Sequence, residues 1–355
     1  MTDHHDLDSR LRRRLIGATL ASAATAALAA CGGSSDSSPS PAPVGGTPPA
    51  PAPSPSPSPA PSPAPSPSPA PSPAPSPAPS PAPSPSPAPA PASNKSFKRG
   101  IAYDLKSRAD MAALAPGVSW WYGWNSQPDA NTPADPVAAY GMDYVPMLWS
   151  GDFDATTVTT WLKAHPAVTH LLLLNEPNLK GQATMTPQAA AALWPRYEKV
   201  AADTGVKLVG PQITYGTLEG YTTPVGWMDA FHAAYRAANG GRDPVIDYIG
   251  YHWYDYGLEA KLDEMKKYGK PFWVTEFANW HDGDGDTVQI DTVKEQKQQM
   301  EKMVAMLEAR ADVYRYAWFT GRWAKDTHYT SLLGADGQLT ELGQYYISLP
   351  PNKNA

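Results

Sequence analysis

Four consecutive leucines, Leu171 to Leu174, run directly into Asn175-Glu176-Pro177. An unbroken apolar run of this kind reads as a strand buried on both faces, the pattern of a parallel sheet covered by helices. Pro177 has no N–H to give to a ladder, so the strand ends there. Glu176 is thereby placed at the carboxyl end of a buried strand, where a carboxylate is costly to desolvate unless something uses it. The same arrangement returns 100 positions later, in Pro271-Phe272-Trp273-Val274-Thr275-Glu276-Phe277. Helix-covered parallel strands with working groups at their carboxyl ends are the plan of a (β/α)8 barrel.

The rest of the chain can be read against that plan. Strands are predicted at 99–104, 118–124, 143–149, 170–176, 207–212, 245–254, 271–276 and 313–319. Pro146 removes or bulges one ladder bond of the third. Helical stretches are predicted at 107–115, 136–140, 156–165, 186–204, 227–238, 258–268, 291–310 and 339–347. The clearest is 186–204, with Thr186 as N-cap, Pro187 at the first position and Gly205 as stop. Pro195 inside it is expected to kink or interrupt the helix. Strand–helix alternation of this number fits an α/β, (β/α)8 TIM barrel, a single catalytic domain over 97–350 with a short tail at 351–355.

The first 96 residues cannot belong to that barrel. Arg10, Arg12, Arg13 and Arg14 precede the apolar, alanine-rich run Leu15 to Ala30, too short for a membrane span and suited to the core of a signal peptide. The arginines also allow a twin-arginine export signal. Leu28-Ala29-Ala30-Cys31 resembles a bacterial lipobox, so residues 1–31 are expected to be a lipoprotein signal peptide with lipid attached at Cys31. Cys31 is the only cysteine, which excludes an intramolecular disulfide. Residues 32–96 are a low-complexity Pro/Ala/Ser linker with no apolar face to bury. A straight polyproline II path over 39–92 would span about 170 Å. The expected location follows: exported, lipid-anchored to a bacterial membrane, with the catalytic domain held out at the cell surface or in the periplasm.

From residue 97 onward the chain holds 30 Asp/Glu against 23 Lys/Arg, and no basic stripe points to nucleic acid. All 36 aromatic residues also fall there, supplying both a large core and flat faces for sugar rings. Two glutamates at strand ends on nearly opposite sides of a barrel mouth suggest the paired carboxylates of a glycosidase. In a retaining enzyme one attacks the anomeric carbon and the other protonates the leaving oxygen. Asn175 is placed to bond a sugar 2-hydroxyl, and Tyr254 to donate to Glu276. His252 and the aromatic residues Tyr103, Trp121, Trp149, Trp253 and Trp318 are expected to line the substrate cleft.

A wider set of segments carries a resemblance. Gly100-Ile101-Ala102-Tyr103, Tyr144-Val145-Pro146-Met147-Leu148-Trp149, Asn175-Glu176-Pro177-Asn178, Val209-Gly210-Pro211, His252-Trp253-Tyr254, Trp273-Val274-Thr275-Glu276-Phe277 and Arg315-Tyr316-Ala317-Trp318-Phe319 occur in order. Together they resemble glycoside hydrolase family 128 of clan A, the endo-β-1,3-glucanases, over essentially all of 97–350. The resemblance implies Glu176 as acid/base, Glu276 as nucleophile, and β-1,3-glucan or its oligosaccharides as substrate. Residues 215–223 and 281–291 match no pattern of that family.

The same residues admit other readings. A structural ion pair at the barrel mouth is the bland account of the two glutamates. Asp282-Gly283-Asp284-Gly285-Asp286 has the start of a calcium loop, but Thr287 and Val293 stand where that loop needs Gly and Glu, which leaves a solvated acidic loop. No metal or cofactor is expected, since neither a zinc-ligand spacing nor a nucleotide turn is present. A monomer is expected. The rival functions are a clan A glycosidase acting on another β-glycan, and a non-catalytic surface glucan-binding lipoprotein.

Overall fold

The computed structural model describes residues 95–283 and 287–351. The expected signal peptide, Cys31 and most of the expected Pro/Ala/Ser linker therefore lie outside the described residues, as do Asp284 and Asp286 of the acidic loop. Lys95 and Ser96 already belong to the fold: the Lys95 ammonium donates to the carbonyls of Ala115 and Tyr140, and Ser96 is buried.

Among the described residues, nine strands alternate with eight α-helices. The strands are β1 (Arg99–Ala102), β2 (Trp120–Tyr122), β3 (Asp143–Tyr144), β4 (Met147–Leu148), β5 (His170–Leu173), β6 (Lys207–Ile213), β7 (Tyr248–Trp253), β8 (Phe272–Phe277) and β9 (Val313–Trp318). The helices are α1 (Arg108–Leu114), α2 (Pro136–Tyr140), α3 (Ala155–Ala164), α4 (Pro187–Thr204), α5 (Pro224–Ala238), α6 (Leu258–Met265), α7 (Val293–Ala309) and α8 (Glu341–Ser348). All strand pairs are parallel, in the order β3-β2-β1-β9-β8-β7-β6-β5-β4. The two ends of that order are β3 and β4, which are halves of one predicted strand parted by Val145-Pro146. Val145 still donates to Trp121 O of β2 and Pro146 O still accepts from Leu172 of β5, so the sheet returns on itself. The nine segments are therefore the eight staves of a TIM barrel, one of them broken at the proline that lacks a donor.

Alternation along the strands sorts the apolar residues into two layers. Trp120, Tyr122, Val145, Met147, Leu172, Val209, Trp273 and Ala317 form the barrel interior. Ile101, Trp121, Leu171, Leu173, Leu208, Ile249, Tyr251, Val274, Tyr316 and Trp318 face outward into a larger cluster with the helices, among them Met111 of α1, Trp194 of α4 and Phe231 of α5. Thr186 caps α4 through its side chain and Gly205 closes it at φ 80°. The expected interruption at Pro195 does not occur: α4 runs unbroken through it, with its buried face of Ala190, Ala191, Trp194 and Tyr197 held against the barrel. Tertiary packing overrides the missing backbone bond there.

Candidate active site

The site is built where β5, β6, β7 and β8 end. The leucine strand β5 stops at Leu173, earlier than the sequence suggests, because Leu174 (φ 56°) and Glu176 (φ 44°) both take left-handed backbone. Each such residue without a glycine's freedom costs on the order of 1 kcal/mol. Neighbouring bonds hold the turn: Glu176 N–H donates to Gln212 O, Gln212 N–H donates to Leu174 O, and Leu174 N–H donates to Leu148 O. The result brings Glu176, only 3% exposed, into reach of the barrel mouth. Glu276 arrives from β8, whose pairing shifts register against both neighbours, so that Thr275 and Glu276 in succession serve one site.

His252 of β7 joins the two glutamates. Its Nδ1 lies 2.8 Å from Glu176 Oε1 and 3.3 Å from Glu276 Oε2, and its ring is fully buried. One oxygen of each carboxylate and one imidazole nitrogen lie within 4.8 Å of one another. Glu276 also collects donors. Tyr122 Oη and Trp124 Nε1 both donate to its Oε1 at 2.9 Å, and Tyr254 donates to its Oε2. Burial, with the Glu276 charge beside it, pushes the Tyr122 phenol well above its ordinary pKa, so it stays protonated and a donor. Three hydrogens thus converge on one carboxylate. The trio reads as a carboxylate pair with a histidine between.

The remaining expected site residues divide into two groups. Asn175 is 3% exposed and donates to Gln182 Oε1 at 3.0 Å, while its own Oδ1 has no hydrogen-bond partner among the described residues. Trp149 is half-buried and packs on the interior cluster beside Met147, at the mouth. Tyr103 is half-buried at the rim, packed where Gly321 has no side chain to meet its ring. Three tryptophans expected at the cleft are not there. Trp121 (2% exposed), Trp253 (7%) and Trp318 (0%) belong to the sheet–helix layer. Trp121 packs edge-on to Tyr144, Trp253 packs on Tyr215 and donates to Tyr256 O, and Trp318 donates to Thr330 O. Alternation is the reason. With Tyr122, His252 and Ala317 facing inward, their neighbours Trp121, Trp253 and Trp318 must face out.

The sequence reading missed several further aromatic residues of the mouth: Tyr122, Trp124, Trp280, Phe319 and Trp323. The expected Tyr254 stacks on Trp280 at 3.8 Å, and Trp280 meets Phe319 at 5.7 Å and Trp323 at 5.9 Å. Phe319 in turn meets Trp124 at 6.0 Å. The period-two spacing Trp120, Tyr122, Trp124 was the signal that could have chosen Tyr122 and Trp124 over Trp121. Trp280 and Trp323 sit in loops beyond strand ends, where no periodicity selects them.

Comparison with known proteins agrees with this geometry. Residues 100–346 match the model of the glycosyl hydrolase catalytic core. A subgroup II endo-β-1,3-glucanase of glycoside hydrolase family 128 from Pseudomonas viridiflava is 58% identical, covering 73% of this chain and 100% of its own, with a TM-score of 0.71. The chain belongs to glycoside hydrolase family 128. It is a glycoside hydrolase. A subgroup I family member from Amycolatopsis mediterranei, an endo-β-1,3-glucanase solved with laminaritriose, is 30% identical over 71% of this chain and 99% of its own, with a TM-score of 0.54. Among curated proteins, alkali-sensitive linkage protein 1 of Schizosaccharomyces pombe is 26% identical over 271 residues. That match spans 72% of this chain and 45% of the yeast protein, under half its length.

Proposed function

We propose that this family 128 protein is an endo-acting hydrolase of β-1,3-glucan that cleaves with retention of anomeric configuration. The observation that carries the reading is the pair of buried glutamates at one mouth, one oxygen of each within 4.8 Å of the other, with three donors gathered on Glu276. Retaining glycosidases hold their carboxyl groups about 5–5.5 Å apart, against about 6.5–9.5 Å in inverting ones. Glu276, which accepts hydrogen bonds from Tyr122, Trp124 and Tyr254, is the nucleophile. Its oxygen forms a bond to the anomeric carbon as the glycosidic C–O bond breaks, and Glu176 gives its proton to the departing oxygen. Glu176 then takes a proton from water, whose oxygen displaces Glu276 from the sugar and restores both carboxyl groups. The unpaired Oδ1 of Asn175 is an acceptor for a hydroxyl of the bound sugar. Family members whose substrates are β-1,3-glucans, one of them holding laminaritriose, support the substrate class.

The same proposal includes export, lipid attachment at Cys31 and a monomeric catalytic domain beyond the Pro/Ala/Ser linker. The test is reducing-sugar release from linear β-1,3-glucan, with cellulose, xylan and mixed-linkage glucan alongside and Glu276→Gln as the control. Oligosaccharides from the β-1,3-glucan alone, lost by at least about a thousandfold in the variant while glucan binding persists, are expected. Preferential release from cellulose or xylan would replace the substrate. Binding with no turnover of any glycan would replace the enzyme with a glucan-binding protein.

A further inference from the structure

A buried side-chain relay runs behind the glutamate pair, and the direction of each hydrogen bond from Gln212 to His252 Nε2 is forced. It starts at Gln212 of β6, whose Nε2 lies 2.7 Å from Val209 O and 3.4 Å from Leu173 O. Carbonyls only accept, so the amide nitrogen must be the atom facing them, and Oε1 must face the other way. Oε1 lies 2.5 Å from Thr275 Oγ1 and can only accept, which takes the single hydroxyl proton of Thr275. Thr275 Oγ1 is then left as an acceptor toward His252 Nε2, 2.9 Å away. Nε2 must carry hydrogen. In the neutral imidazole the lone pair therefore sits on Nδ1, the atom 2.8 Å from Glu176 Oε1.

That lone pair cannot face an ionised carboxylate without a proton between them. Gln212, Thr275 and His252 are all fully buried, so no water can re-aim the chain. Room for the amide is made by Gly250 of β7, where any side chain would collide with Gln212 Oε1. We infer that Gln212 and Thr275 are positioning residues that fix the His252 tautomer with its proton on Nε2, so that Nδ1 accepts from Glu176 and holds the catalytic proton on that carboxyl. The inference rests on the acid/base role proposed for Glu176. The charged and titratable groups facing this pair are Glu276 from β8, Tyr122 from β2 and Tyr254 beyond β7. Glu276 repels a second carboxylate and so acts in the same direction as the relay.

Thr275→Val removes the acceptor while keeping the shape. The imidazole is then free to carry its proton on Nδ1 and donate to Glu176, which favours the carboxylate and lowers the pKa of the acid. The alkaline limb of kcat/KM on β-1,3-glucan should move to lower pH by about one unit, with kcat at neutral pH down about tenfold and KM unchanged. Thr275→Ser, which restores the hydroxyl, should return the limb to its original position. A fall in rate with an unmoved limb, or no rescue by serine, would overturn the inference. A second reading does not depend on turnover: the imidazole nitrogen-15 signals of His252 in the full chain at neutral pH. Protonated Nε2 with unprotonated Nδ1, exchanged in Thr275→Val, is the expected pattern, and hydrogen on Nδ1 in the unmutated protein would overturn the assignment. If the chain turned over no glycan, only the proposed activity would fall, and the nitrogen signals would still decide the tautomer.

Discussion

The two ends of the barrel interior are made of the same kinds of side chain and do opposite things. At the amino end His170, Tyr248, Trp273 and Tyr314 meet ring to ring, with Trp273 and Tyr314 stacked at 5.6 Å and Tyr248 and Tyr314 at 4.9 Å. Arg315 closes that end, its guanidinium 4.4 Å from the Phe97 ring and paired with Asp143 at 2.5 Å. At the carboxyl end Tyr122, Trp124 and Tyr254 each turn a polar hydrogen to one carboxylate. Both ends are aromatic; what differs is where the O–H and N–H groups point. An aromatic residue inside a barrel is a plug or a donor to a carboxylate according to the partner of its polar atom, not according to its burial.

Three substitutions sharpen that contrast. Trp273→Ala at the closed end should destabilise the fold by about 3–5 kcal/mol, since it empties the centre of a packed aromatic cluster. Thermal unfolding should show it as a large fall in Tm, while kcat of the surviving folded protein stays near that of the parent. Tyr254→Phe at the open end should do the reverse. Loss of one charge-assisted bond to Glu276, worth about 1.5–3 kcal/mol, should lower kcat by about 10- to 100-fold with Tm hardly changed. A Tyr254→Phe protein that loses stability and keeps its kcat would break the distinction. The smallest effect concerns His170, whose pKa burial and the Arg315 charge lower to about 4. An unfolded histidine binds its proton near pH 6.5, so stability from this neutral ring is complete above that value and drains away as pH falls toward 4. His170→Gln should reduce the fall in unfolding free energy between pH 7 and pH 4.5, read from denaturant melts, by about 1 kcal/mol, the partial exposure of the ring keeping it below the full linkage value.

The sequence was most readable where one periodicity dominated. The leucine run, the capped helix α4 and the two glutamates at strand ends identified a barrel and its mouth, because unbroken apolar strands and strand-end carboxylates have few other physical explanations. It was least readable where a register shift changes which residues face inward. The shifts around His252 and between Val274 and Phe277 allow Thr275 and Glu276 both to work at the site, which strict alternation forbids. The left-handed turn at Leu174 and Glu176 was equally hidden, since neither residue advertises it. The tryptophans were misjudged for a simpler reason. Position at a strand end was weighed above parity, and Trp121, Trp253 and Trp318 fall on the outer face.

The join between the first and last strands has a consequence for how the molecule comes into being. β1 pairs with β9, Gly100 against Ala317 and Ile101 against Trp318, so the ring is completed only by residues more than two hundred positions apart. During synthesis every shorter chain presents β1 and the newest strand as open edges, each able to recruit a foreign strand. Closing so long a loop makes acquisition of the native state slow relative to a helical bundle of the same size. A chain cut anywhere before Trp318 would thus be more than a smaller enzyme with a missing wall. It would be an aggregation-prone ribbon, because the strand that covers the edge of β1 never arrives.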